Sequence, residues 1–278
     1  MYEGLNPQQI REEMNKRYET KTAYELMLLW DQARMQDLNE KTMAYLGSAG
    51  KKKILEVCCG QGGTAAYLPK TANFTGVDLS DTAIALAKET FKDRPNYRFQ
   101  QMDACKLDFE DSIFDVVIAK EAIEHLPDVG ACLREAYRVL KPTGKLIVTS
   151  PNRDSLHLRM NRLMGNADFK CSYDHLNELT FAEFCELATA AGFQLDKSCG
   201  SFLMPYWGIP GVDNYVRHLT DKDPAVIALF QELGDLVGAE HAFCYIALLS
   251  KIPPSPECKL SFAEVKAEPS SPLELAFV

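Results

Sequence analysis

No apolar run in the 278 residues reaches the length of a membrane-spanning helix, and the N-terminal stretch is polar. Neither a spanning helix nor a secretory leader is therefore expected. The nine cysteines include no C-x-x-C pair, so the usual signature of structural zinc is missing. An odd cysteine count without a secretory segment predicts reduced thiols and a cytoplasmic chain. Most of the cysteines are expected to be small buried hydrophobes. Positive charge is in deficit. Thirty Lys and Arg stand against 39 Asp and Glu, the net charge is -9, and no basic block stands out. Nucleic acid is a poor partner for such a surface. No metal constellation is visible along the chain. What is present, 46% hydrophobic and 25% charged residues, supports a sizeable core and one domain with elaborations.

The chain is organised around Lys53 to Asp78, KILEVCCGQGGTAAYLPKTANFTGVD. Ile54, Leu55 and Val57 make a short apolar run, as a strand buried on both faces should. Cys59-Gly60-Gln61-Gly62-Gly63 breaks it with glycines that let the backbone turn tightly and a ligand approach closely. Thr64 to Leu68 opens a helix, whose N-terminus leaves free N–H groups. Phe74 to Val77 is a second strand, and Asp78 stands at its carboxyl end, where ligands bind in open α/β sheets.

Two cofactor classes fit this unit. Gly60 to Ala65 matches the dinucleotide pattern G-x-G-x-x-G/A, and Asp78 lies near the distance of a ribose-binding acid. That reading leads to an NAD(P)-dependent oxidoreductase. Glu56 opposes it, because a carboxylate beside a pyrophosphate is unfavourable. S-adenosylmethionine (SAM) carries no phosphate but has a sulfonium and an ammonium, and an acidic strand end suits it. An acid on the first strand, a glycine loop and an acid ending the second strand resemble the class I SAM-dependent methyltransferases. The resemblance extends to the strand Phe114-Asp115-Val116-Val117-Ile118-Ala119, to Glu124-His125-Leu126-Pro127 and to RVLKPTGKLIVTSPN from Arg138 to Asn152. It departs at Cys58, where the family usually has glycine.

The resemblance implies a fold and a set of roles. The fold is α/β, a Rossmann-like three-layer sandwich whose seven-stranded sheet is mostly parallel with an antiparallel last strand. Residues 51–252 would form the methyltransferase domain. Residues 1–50 and insertions 153–179 and 202–240 would form a helical cap, and Pro-, Ser- and Glu-rich residues 253–278 a mobile tail. Glu56, Cys58, Gly60 and Gly62 would build the SAM loop, and Asp78 would take both ribose hydroxyls. Leu79 would pack on the adenine, Asp103 would accept from its exocyclic amine, and the Ala104 N–H would donate to a ring nitrogen. Carbonyls at Ala119 and Lys120 would hold the methionine ammonium. His125 faces the transferred methyl and is the candidate base, with His175 as a second candidate. Tyr18, Tyr173, Tyr206 and Trp207 are the candidate acceptor contacts. The bland alternative is a local core or homodimer contact for Tyr206 and Trp207, and a turn carboxylate for Asp103.

The implied reaction moves a methyl group from SAM to an O, N or C nucleophile of a small-molecule metabolite, with S-adenosylhomocysteine as product. No metal and no membrane or nucleic-acid partner are expected. Within the family, the residues look most similar to the branch that includes the ubiquinone-biosynthesis methyltransferases. A non-catalytic SAM-binding regulator remains an alternative. Arsenic methylation would need three converging thiols, and the sequence shows only the Cys58-Cys59 pair.

Overall fold

The computed structural model describes residues 8–9, 12, 15–16, 29–167, 170–172, 174–212 and 223–252. Tyr18, Tyr173, residues 213–222 of the second insertion and the tail 253–278 lie outside them. The element order is α1 (Leu29–Leu46), β1 (Lys53–Val57), β2 (Asn73–Asp78), α2 (Asp81–Thr90), β3 (Tyr97–Gln101), β4 (Phe114–Lys120), α3 (Val129–Val139), β5 (Leu140–Pro151), α4 (Leu156–Leu163), α5 (Phe181–Ala190), β6 (Phe193–Ser201), α6 (Pro224–His241) and β7 (Cys244–Lys251). The strands form one seven-stranded sheet in the order β3-β2-β1-β4-β5-β7-β6. β7 runs antiparallel to both its neighbours, and the other pairings are parallel. This is the expected Rossmann-like sheet.

Side chains on a strand alternate between faces, and the apolar runs therefore feed two cores. On one face Leu55, Val57, Val117 and Ala119 meet Leu133 and Ala136 of α3 and Phe184 of α5. On the other, Ile54, Val116 and Ile118 meet Leu38 of α1, Ile84 and Ala87 of α2 and Phe230 of α6. Local signals set the helix starts. The Ser80 side chain accepts from Ala83 N, Asp128 accepts from Ala131 N, and Thr180 forms a capping box with Glu183.

Two expected boundaries move. The helix after the glycine loop is a single 3-10 turn, Thr64–Tyr67, because Leu68 is already extended ahead of Pro69. The last strand, which the apolar run HAFCYIALLSK predicts over His241 to Lys251, begins at Cys244, because α6 continues past a kink at Gly238 (φ 69°) to His241. Helix α6 lies against the backbone of β6 and the residues after it. A Cβ on Gly234 would stand 2.2 Å from Phe202 N, and one on Gly200 would stand 2.4 Å from Gly234 O. No side chain can yield there. Gly234→Ala should destabilise the protein by about 2 kcal/mol or more in urea titration, whereas Leu236→Ser, at a position 81% exposed, should stay within about 0.5 kcal/mol.

Candidate active site

The chain order reverses between β1 and β4, so the carboxyl ends of these strands flank the crevice where open α/β sheets bind ligands. β1 ends at Val57, opposite Ala119, and Lys120 extends beyond it. The loop leaving β1 is left-handed at Cys58 (φ 53°), Gly60 (φ 52°) and Gly62 (φ 85°). Cys58 thus carries a glycine conformation on a side chain with a Cβ, at a cost of about 1–2 kcal/mol. Gly62 is also sterically required, since a Cβ would meet Phe91 Cε2 at 2.6 Å. Asp78 holds the loop in place. Its Oδ2 accepts from Gly60 N at 2.8 Å and its Oδ1 from Ser80 N at 2.9 Å. A carboxylate is an acceptor-only group, the kind of partner that ribose hydroxyls need. Asn15 Oδ1 accepts from the Ser80 hydroxyl at 2.7 Å, which brings an N-terminal residue over the same strand end.

Glu56 is 2% exposed, and its Oε2 has no hydrogen-bond partner. Burial pushes its pKa up to about 7, against the pull of Lys120. Lys120 is itself buried, which lowers its pKa against the nearby charges of Glu56 and Glu121. An unsatisfied buried acid beside an open strand end fits a cationic ligand group such as an ammonium. The residues present therefore fit SAM: Glu56 for the ammonium, the left-handed loop for close backbone approach, and Asp78 for the ribose.

A third acid closes the wall. Glu121 (φ 48°) follows β4, and its Oε2 pairs with Arg34 Nη1 of α1 at 2.7 Å. Thr149 Oγ1 donates to Glu121 Oε1 at 3.0 Å. Burial alone would raise the Glu121 pKa, but Arg34 outweighs it and holds the group ionised. The Arg34 guanidinium also lies 5.4 Å over the Phe243 ring.

Next to it, the one-turn helix Ile123–His125 meets the 153–179 insertion. The Glu124 carbonyl accepts from Leu176 N at 2.7 Å and Asn177 N at 3.0 Å, and Asn177 Nδ2 donates to Leu126 O. His175 is thereby set against His125, edge to face, with ring centroids 4.9 Å apart. Each ring has a carboxylate at Nδ1: Glu178 Oε1 at 2.6 Å for His175, and Asp174 Oδ2 at 3.6 Å for His125. Glu124, 1% exposed, accepts from Ser150 Oγ at 3.2 Å. Burial first, and then the charge of Glu121, raise its pKa.

The remaining expected residues fall in different places. Asp103 is exposed and accepts from Cys105 N at 2.8 Å, the turn-carboxylate geometry, with capacity left on its other oxygen. Ala104 is buried, and Leu79 is half-buried. Ala119 lies inside the ladder, opposite Val57 and Val148. Trp207 is 7% exposed, packed on His157 and Phe243 at 5.0 and 4.8 Å, so it backs the wall that carries Arg34. Tyr206 packs on Phe230 of α6 at 5.5 Å. Arg34, Glu121 and Glu178 were given no role from the sequence. The one signal was the run Glu121 to His125, of which the resemblance covered only Glu124-His125-Leu126-Pro127.

Glu56 has a folded pKa above its unfolded value of about 4.3. The folded state therefore binds a proton that the unfolded state lacks between these values, and stability falls as pH rises from about 4.3 to 7. Glu56→Gln should remove this slope. In urea titrations the wild type should lose on the order of 3 kcal/mol relative to Glu56→Gln across that window.

Residues 55–148 match the family model described as "Methyltransferase domain". A phthiotriol/phenolphthiotriol dimycocerosates methyltransferase of Mycobacterium ulcerans is 37% identical over 142 residues, 49% of this chain and 52% of that protein. A demethylmenaquinone methyltransferase of Staphylococcus aureus is 32% identical over 121 residues, 42% of this chain and 50% of that protein. The chain thus spans about half the length of these curated relatives. The fold matches a SAM-dependent methyltransferase from Thermotoga maritima, described as a possible histamine N-methyltransferase. The TM-score is 0.58 at 18% identity, over 90% of this chain and 100% of that one. Sheet order, glycine loop and family match point the same way: residues 55–148 are similar to a methyltransferase domain and stand in the Rossmann-like sheet of such proteins.

Proposed function

We propose that this protein transfers a methyl group from SAM to an O, N or C nucleophile of a small molecule. The observation that carries the reading is the set of acids at neighbouring strand ends: Glu56 on β1, Asp78 after the glycine loop on β2, and Asp103 after β3. Glu56 takes the methionine ammonium together with carbonyls near Ala119 and Lys120. Asp78 takes the ribose, and Asp103 the adenine amine, with the Ala104 N–H and Leu79 beside it. The sulfonium already makes the methyl electrophilic, so the protein mainly holds donor and acceptor in line, an effect worth several kcal/mol. The named acceptors of the relatives, phthiotriol/phenolphthiotriol dimycocerosates and demethylmenaquinone, support a small-molecule acceptor here.

The cap reading belongs to the same proposal. Residues 1–50 with insertions 153–179 and 202–240 cover the crevice of domain 51–252. The Asn15 contact and the Arg34–Glu121 pair support the first of these. The edge with His125 and His175 faces the methyl group. No helix among the described residues is long and apolar enough to cross a membrane, and we place the activity in the cytoplasm.

Calorimetric titration with SAM, S-adenosylhomocysteine and NAD(H) in parallel should give micromolar binding for the first two and none for the third. NAD(H) binding instead would remove Glu56 and Asp103 from their roles. Asp78→Asn should weaken SAM at least about tenfold, while the exposed Asp93→Ala leaves it unchanged. The ammonium favours ionised Glu56, so wild-type affinity for SAM should fall as pH drops below about 7. The decline should approach a factor of about ten per unit, and Glu56→Gln should bind weakly with no such decline.

A further inference from the structure

One cluster of ligating side chains stands apart from the residues assigned to the cofactor. Glu124, His125 and His175 each offer a donor atom, and the three atoms lie within 4.8 Å of one another. Fifty positions of chain separate His125 from His175, so no ligand spacing announces the group along the sequence. The insertion backbone brings it together, through the two N–H bonds from Leu176 and Asn177 to the Glu124 carbonyl.

Two further features point to a cation. The first is an oxygen at each Nδ1: the Glu178 carboxylate on His175 at 2.6 Å, and on His125 the Asp174 backbone carbonyl at 3.4 Å with the Asp174 carboxylate 3.6 Å away. A carboxylate on one ring nitrogen fixes the tautomer and turns the other nitrogen into a strong donor, as around metal-bound imidazoles. The second is Glu124 itself. It is 1% exposed, and its Oε1 has no hydrogen-bond partner. A buried carboxylate oxygen without a partner is costly, and a cation is what would satisfy it.

We propose that Glu124, His125 and His175 bind one divalent d-block metal ion. Two imidazoles and one carboxylate suit zinc, manganese or iron, and three protein ligands leave positions open. Ligand bonds of about 2.1 Å in a tetrahedron place donors roughly 3.3 Å apart, so the three side chains close on the ion by rotation. Glu178 and Asp174 are positioning residues. What the ion does rests on the methyl-transfer reading: an acceptor oxygen on an open position loses its proton more readily beside the divalent charge. The binding itself does not depend on that reading.

The test uses the full chain, stripped with a chelator and titrated near neutral pH with zinc and with manganese chloride by calorimetry. Cobalt(II) is added in parallel, and its visible absorption reports the coordination geometry. The expected result is one ion per chain, bound at least about tenfold more weakly by His125→Ala and by His175→Ala. Glu178→Gln should weaken binding and shift the cobalt spectrum, and His241→Gln, outside the cluster, should change neither. Circular dichroism and an S-adenosylhomocysteine titration of each variant confirm that it is folded. Absence of any heat or cobalt band in the wild type overturns the site. So does a His125→Ala/His175→Ala double variant that binds as tightly as wild type. Metal binding without SAM binding would instead overturn the proposed function and leave the metal site standing.

Discussion

One carboxylate holds the crevice together. Asp78 ends β2 and reaches back to the N–H of Gly60 while it also takes the N–H of Ser80. Both bonds go to a charged acceptor in a buried setting, which makes them stronger than neutral ones. They fix the loop after β1 against the start of α2. With the bonds from Cys59 N to Val77 O and Gly62 N to Cys59 O, they offset the left-handed Cys58, a conformation that most residues avoid. The glycines permit the turn. Asp78 selects one conformation out of those the glycines allow.

A second constraint fastens the other side. The Arg34–Glu121 pair joins α1 to the end of β4, and Phe243 lies beneath the guanidinium with Trp207 and His157 stacked behind. Burial pushes the His157 pKa down to about 3, so it stays a neutral ring in this stack. Buried ion pairs add little net stability, because desolvation of both charges offsets their attraction. They do penalise any arrangement in which one partner is left alone. The pair is therefore better understood as setting the position of α1 over the sheet than as a source of stability. The cluster of Glu121, Glu124 and Lys120 shows the same principle at closer range: burial opposes the charge of each, and only at Glu121, which has Arg34, do the partners outweigh it.

The sheet and its loop were legible because their signals are local. Apolar runs of strand length, glycines in a fixed frame and an acid closing each strand are short-range patterns, and the fold reproduced them down to the antiparallel last strand. The caps at Ser80 and Thr180 are local in the same way, each a side chain bonded to an N–H three residues on. Local reading failed where a long-range contact overrode it. The extension of α6 past Gly238 depends on its packing against β6, and Trp207, expected as an acceptor contact, went into the wall behind Phe243. Asp103 took the turn role that had been its bland alternative, with one oxygen still able to take the other.

The sequence by itself determined the doubly wound sheet, the glycine loop and the acids at the carboxyl ends of β1, β2 and β3. Each of these follows from the order of residues within a few positions. Only the tertiary structure decided which distant groups meet: Arg34 with Glu121, and His175 with Glu124 and His125. Their partners lie 87 and about 50 positions apart. No periodicity encodes such a meeting, because it results from packing an insertion and an N-terminal helix onto a finished sheet. Whether a buried carboxylate is ionised is decided at that stage too, since it depends on which charges packing brings beside it.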